Sequence, residues 1–384
     1  MSLLAPLLVL GLVILVHEAG HFWAAKMFGV YAPRFAIGFG PALWRKRWGE
    51  TEYVIGMLPL GGYVRMATRD DEATVALEGN LDESKGVKTE QLDPDAMIPF
   101  GPNPVPANHW FESKPLWQRA IILLAGVTMN VVLAVVVAIG IFAAYGRPYL
   151  RPVVASVVAG KPAANAGMQP GDSIEAVDGR GMATWSEVFE VVSASPGREI
   201  AMTVVRGGSP LTLRMTPETV PDTDVVTGRL RQVGRVGMQT ITDVARQRVS
   251  LIASVPLGTA AAWRLGVSVV DVLKGLVSGH ISVTQLGGPI AIARTSVAEA
   301  RRGMESLLTL IAFLSINLAV LNLVPIPLLD GGQLLIQTAE TVKGSAFTDR
   351  TREWIARVGL AAIAALFVVV TFNDLKSLVG SLLQ

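Results

Sequence analysis

The chain of 384 residues contains no cysteine and only four histidines. Disulfides and thiolate metal ligands are therefore excluded, and any transition-metal site must be built from imidazole and carboxylate. Charge is scarce too: Asp, Glu, Lys and Arg make up 17% of the residues, against about 25% in a typical soluble protein. The net charge is only +2, so nothing suggests a nucleic-acid partner. No basic stretch precedes the first apolar run, which is read as a retained membrane span rather than a cleaved signal peptide. No long-period repeat interrupts the chain.

Apolar residues fill the space that charge leaves, at 51% of the sequence and a mean hydropathy of +0.46. A bilayer core needs about 20 apolar residues to span. Leu3 to Val16 is uncharged and the run resumes from Phe22; Ala120 to Gly146 is uncharged over 27 residues, Ser306 to Leu329 over 24, and Val358 to Asn373 over 16. The expected fold is thus a polytopic α-helical membrane protein with about four transmembrane helices. Arg34, Arg45, Lys46, Arg47, Lys114 and Arg119 crowd the link between the first two spans, and Lys343, Arg350, Arg352 and Arg357 the link between the last two. By the positive-inside rule both links are cytoplasmic, which puts the stretch from about 147 to 304 outside. Asp70 to Asp95 reads as an acidic solvated loop. Val255 to Val277 reads as an interfacial amphipathic helix, because Arg264, Asp271 and Lys274 interrupt its apolar face.

The ionisable residues inside the first span carry the chemistry. His17-Glu18-Ala19-Gly20-His21 sets two histidines four residues apart, on one helix face, where both rings can converge on a zinc ion with Glu18 beside them as general base. A third ligand is needed, and His109 and His280 sit in isolated polar contexts that suit ordinary surface roles. Asp330, in Asn322-Leu-Val-Pro-Ile-Pro-Leu-Leu-Asp330-Gly331-Gly332, is the better candidate. A carboxylate after two dozen uncharged residues is costly unless paired or metal-bound. Pro325 and Pro327 break the helix, so Asp330 can be presented from unwound backbone.

These motifs resemble the site-2 protease family of zinc intramembrane metalloproteases, in its bacterial RseP-like branch. Gly38-Phe39-Gly40, Thr51 to Ile55 and Leu58 to Val64 are similar to the family's membrane-associated β-hairpin. The alternation from Thr51 to Met57, with Gly61 and Gly62 for the turn, is expected to offer a substrate an edge strand. The resemblance implies Gly38, Phe39, Gly40, Tyr53, Ile55, Gly61, Gly62 and Asn322 as substrate-binding residues. In the second span Gly126-Val-Thr-Met-Asn130 lacks the proline common in the family. Ala166-Gly-Met-Gln-Pro-Gly-Asp-Ser-Ile174, followed by Val177-Asp178-Gly179, resembles a PDZ domain, one module where the best-known relatives resemble a tandem pair.

The expected organisation runs as follows: 1–28 the first span, 29–117 a cytoplasmic membrane-associated region with the hairpin, 118–146 the second span, and 151–218 an extracytoplasmic PDZ domain. Residues 219–304 form a strand and tether helix, 305–340 the third span and 354–381 the fourth. The function implied is zinc-dependent cleavage of single-span membrane proteins already trimmed outside the bilayer, such as anti-sigma factors or signal-peptide remnants, in a bacterial cytoplasmic membrane. Two alternatives stand beside it: a catalytically silent membrane scaffold recruiting partners through its PDZ domain, and a soluble zinc hydrolase. Glu18 argues against the first, since structural zinc sites need no base. Ligands in membrane-length segments argue against the second. Oligomeric state is not legible.

Overall fold

The computed structural model describes residues 4–68, 96–101, 103–223, 230–241, 244–282 and 287–382, so the acidic stretch Asp70 to Asp95 lies outside the described residues. In chain order the helices are α1 (Ala5–Met27), α2 (Leu116–Tyr145), α3 (Pro162–Asn165), α4 (Trp185–Ser193), α5 (Leu251–Val277), α6 (Pro289–Arg302), α7 (Met304–Asn322), α8 (Asp330–Lys343) and α9 (Asp349–Leu382). The strands are β1 (Arg34–Trp48), β2 (Thr51–Arg65), β3 (Arg147–Leu150), β4 (Val154–Val157), β5 (Ser173–Val177), β6 (Arg180–Gly181), β7 (Ile200–Arg206), β8 (Ser209–Met215), β9 (Glu218–Thr223), β10 (Leu230–Arg235), β11 (Met238–Thr240) and β12 (Val244–Gln247). They fall into two compact units, Met1–Ile139 with Leu257–Val270 and Val283–Gln384, and Gly140–Pro256 with Asp271–Ser282.

The first unit is a helical bundle with a β-sheet. Among the described residues four helices are long and apolar enough to cross a membrane: Ala5–Met27, Leu116–Tyr145, Met304–Asn322 and Arg350–Lys376. Lipid gives apolar helices no hydrophobic reason to associate, so close packing of small residues and polar contacts must hold them. Gly20 supplies the closest approach, since a Cβ there would lie 2.5 Å from the Ala125 carbonyl oxygen on α2. Along α2 the buried face repeats every four residues through Ile122, Gly126, Asn130, Ala134 and Ala138. Ser315 of α7 donates to the Asn130 carbonyl at 2.8 Å.

One sequence expectation is corrected here. The third span does not run on to residue 340: α7 stops at Asn322, a turn holds Pro325 and Pro327, and α8 begins at Asp330. Gln333 Nε2 donates to the Pro327 carbonyl at 2.7 Å, satisfying one acceptor that the break frees. The amphipathic helix α5 covers the expected Val255 to Val277 and lays one face on the bundle, its residues Leu265 and Val269 meeting Ala134, Ala312 and Ile316. A stripe of Gly258, Ala262, Leu265 and Val269 at helical spacing makes that contact possible, and Gly258 lies so close to α2 that a Cβ there would sit 2.5 Å from the Ile139 amide nitrogen. The long helix α9 buries little of its apolar window. Its Asp374 accepts from the amides of Gly288, Ile290 and Ala291 at 2.9, 2.9 and 3.0 Å, capping α6 from another helix and satisfying donors that every helix start leaves open.

The second unit is a small β-rich module. A four-stranded antiparallel sheet has the order β6-β5-β7-β8, and β7 shows the alternation of a half-buried strand, with Ile200, Met202 and Val204 fully buried. Each such side chain contributes about 1.5–3 kcal/mol by leaving water. Thr184 caps α4 by accepting from the Glu187 amide, while Glu187 accepts from the Ala183 amide at 2.8 Å. Val236 belongs to the same core and Met238 packs on it, and β11 pairs with β4. The expected boundary at 218 is therefore too early, because the closing strands follow it. Asp172 is fully buried and takes a two-pronged contact from Arg206, Nε to Oδ1 and Nη2 to Oδ2, each at 2.7 Å.

Candidate metal centre

The helical spacing of His17 and His21 places their rings edge to face, with centroids 4.7 Å apart. The break after α7 lets α8 start at Asp330 and turn its first side chain toward them. Gly331 and Gly332 are required by that geometry: a Cβ on either would strike the carbonyls of Leu323 and Ile326. His17 Nε2, His21 Nε2 and Asp330 Oδ2 converge, and they are the one such group of potential metal ligands among the described residues. Neither His109 nor His280 joins it; His280 Nδ1 instead contacts Ser278 at 2.6 Å.

The donor set fits zinc. Bonds of about 2.0–2.2 Å at tetrahedral angles put neighbouring ligand atoms about 3.3–3.5 Å apart. The separations here are 3.2 Å between the two Nε2 atoms, 3.3 Å from His17 to Asp330 and 3.5 Å from His21 to Asp330. Asp330 Oδ2 is buried and accepts no hydrogen bond, as a coordinating oxygen should be before its cation is counted. His21 Nδ1 lies 2.8 Å from the Ile122 carbonyl oxygen. That acceptor puts the ring proton on Nδ1 and leaves the Nε2 lone pair facing the centre.

Two residues of α2 that the sequence did not assign to the site hold it in shape. A methyl group at Gly126 would run into the His21 ring. Asn130, fully buried, brings its side-chain amide to 3.4 Å from His17 Nδ1. With Nε2 turned to the centre, Nδ1 carries the proton, so the amide oxygen is the atom that belongs opposite it; the two amide orientations are isosteric. The signal was present as the single side-chain amide inside a 27-residue uncharged span, four residues from a glycine on the same helix face.

The remaining expected residues divide. Asn322, the last residue of α7, reaches His17 Nε2 at 2.9 Å and so borders the centre. Gly62 is pressed against Glu18: a Cβ there would meet Glu18 Cγ at 2.9 Å. Gly38, at φ +84°, and Gly61, at φ +127°, occupy backbone regions open to glycine. Phe39 closes over Gly61 and stacks on Tyr63 with centroids 6.3 Å apart. Gly40, at φ +83°, has open space where a Cβ would point.

Tyr53 and Ile55 are placed otherwise than expected. Residues 34–37 pair with 52–55 on one side and 62–65 on the other, while 52–55 pairs again with 44–47. The 52–55 backbone is thus engaged on both sides and offers no free edge. The edge beside Glu18 is Gly62–Arg65, and Tyr53 packs against Phe22 and Phe35 at 6.0 and 5.9 Å between centroids.

Two imidazoles and a carboxylate converging between membrane-length helices, with a separate glutamate at hand, are the equipment of a zinc peptidase housed in a membrane. Residues 5–366 match the family model described as peptidase family M50, and the chain belongs to that family. It is 30% identical to the zinc metalloprotease RasP of Bacillus licheniformis, covering 98% of this chain and 99% of that one. It is 33% identical to the metalloprotease MmpA of Caulobacter vibrioides, over 97% and 95% of the two chains. The regulator of sigma-W protease RasP of Bacillus subtilis is 29% identical over 98% and 99%. The protein is a zinc metalloprotease of the membrane.

Proposed function

We propose that this chain cleaves peptide bonds within the membrane, on single-span proteins whose external part has already been trimmed. The observation that carries the reading is the convergence of His17, His21 and Asp330 between helices built to span a bilayer. Those three side chains would hold the metal, and zinc bound there would supply the Lewis acidity that lowers the pKa of water and polarises a scissile carbonyl. Glu18 takes the proton of the attacking water on its carboxylate and delivers it to the leaving amine. A helical substrate hides its scissile bond behind its own hydrogen bonds, so the bond must first be drawn into extended form. The outer strand segment Gly62–Val64, against Glu18, is suited to pair with that extended segment. The Asn322 amide, bordering the ligand set, is suited to donate to the carbonyl under attack.

The second unit is read as a single PDZ-type module outside a bacterial cytoplasmic membrane, on the basic links 29–117 and 343–357. Action on an anti-sigma factor or a signal-peptide remnant, as a step of regulated intramembrane proteolysis, fits this arrangement. One relative is named a regulator of sigma-W protease, which supports the first substrate class.

Glu18→Gln is expected to keep about one zinc per chain by elemental analysis and to lose proteolysis, whereas Asp330→Asn loses the metal as well. Turnover at the wild-type rate by Glu18→Gln would remove Glu18 from the chemistry, and zinc bound at full affinity by Asp330→Asn would remove the third ligand. Substrate chains retained by Glu18→Gln identify the physiological target.

A further inference from the structure

A groove of about 450 Å³ runs between α1 and the β1/β2 sheet. On the helix it follows Leu15, Ala19 and Trp23, a stripe about half a turn around from His17 and His21 at 3.6 residues per turn. It is therefore separate from the metal centre. On the sheet it is lined by Trp44, Lys46 and Trp48; strand alternation turns Arg45 and Arg47 to the opposite face.

The dimensions and chemistry of the groove select its occupant. Leu15 to Trp23 covers about 12 Å of helix rise, a little over two turns, along which the groove runs. An apolar transmembrane helix offers no anion to the lysine in the lining. An extended peptide is disfavoured because the groove presents the side-chain face of the sheet, leaving a strand's N–H and C=O groups unpaired in an apolar cleft. A hydrocarbon chain that carries an anionic headgroup has neither difficulty. The one charged side chain in the lining is Lys46. The acids nearest it in sequence are engaged elsewhere, Glu50 by Lys26 and Glu52 by Arg34. The rim carries Trp23, Trp44 and Trp48, which are 60%, 49% and 79% exposed, the residue type that settles at headgroup level. We propose that this groove is a binding site for an anionic phospholipid, one acyl chain lying along α1 and the phosphate on Lys46.

The test uses the full chain in phosphatidylcholine vesicles carrying a small fraction of a photoreactive lipid. The reactive diazirine sits in the acyl chain of either phosphatidylglycerol or phosphatidylcholine, and labelled peptides are mapped. Phosphatidylglycerol is expected to label the Leu15–Trp23 and Trp44–Ile55 segments in preference to phosphatidylcholine. Lys46→Gln should lower that labelling about fivefold, the effect of removing one basic residue near a lipid surface. Arg45→Gln removes the same charge from the other face of the strand and should leave the labelling intact. Zinc content of both variants reports that the bundle is folded. Equal labelling by the two lipids, equal loss in the two variants, or displacement of the lipid by a substrate peptide would each overturn the proposal.

Discussion

Replacing Asn130 tests whether the metal centre depends on a residue that never touches the metal. Leucine has the branching and heavy-atom count of asparagine, so Asn130→Leu keeps the packed shape and removes the acceptor facing His17 Nδ1. The site is fully buried, so no water replaces the lost partner. A buried donor left unsatisfied costs about 1–3 kcal/mol. The 3.4 Å separation marks a weak contact and sets the effect at the lower end, about 1.4 kcal/mol or tenfold in zinc affinity. That agrees with the lower end of the range of about 10–100-fold found for partners of metal-bound histidines. Asn130→Asp restores an acceptor and should bind zinc more tightly than Asn130→Leu. Ser315→Ala, which removes only the bond to the Asn130 carbonyl, should leave affinity near that of the wild type. The assay is competition between purified protein and a zinc chelator, read by elemental analysis. Wild-type affinity in Asn130→Leu, or no recovery in Asn130→Asp, would refute the reasoning.

Gly126→Ala places a methyl group in the His21 ring, and is expected to lower bound zinc and activity together while Gly140→Ala, with open space at its Cβ, does neither. In the second unit the Arg206 guanidinium, helped by the Gln169 amide, holds the Asp172 carboxyl below the usual carboxylate range. A depressed pKa gives stability that is present above about pH 4, the unfolded value, and is lost as pH falls through the folded one. Amide exchange in β5 and β7, corrected for intrinsic rate, should therefore show protection falling below about pH 4. In Arg206→Met the buried carboxylate has lost its partner, so protection should rise on acidification, and the same slope in both proteins would contradict the pairing. The cysteine-free sequence allows orientation to be read directly. Single cysteines at Ser186 and Asp222 should react with an impermeant maleimide in spheroplasts and those at Thr68 and Ser345 only after lysis; the reverse pattern would invert the membrane topology.

What could be read in advance depended on how local the signal was. His17, His21 and Asp330 were legible because charge inside an apolar run is costly on any fold, and the proline pair at 325 and 327 already announced a break in the helix. The spans were legible from length alone, although the end of α7 at Asn322 required knowing that the turn after it is held by Gln333 and two close-packed glycines. Strand pairing was not local. Residues 51–57 alternate as an edge strand would, but alternation reports which faces differ and says nothing about which backbone edges are taken. Only the return of 62–65 to pair with 34–37 brings an outer strand next to Glu18. Asn130 was hidden for a related reason: asparagine in a membrane helix signals some polar partner, but which partner depends on how α1 and α2 are rotated against each other. The contacts of Gly20 and Gly126 fix that rotation, and the same two glycines that let the helices meet therefore decide that Asn130 faces His17.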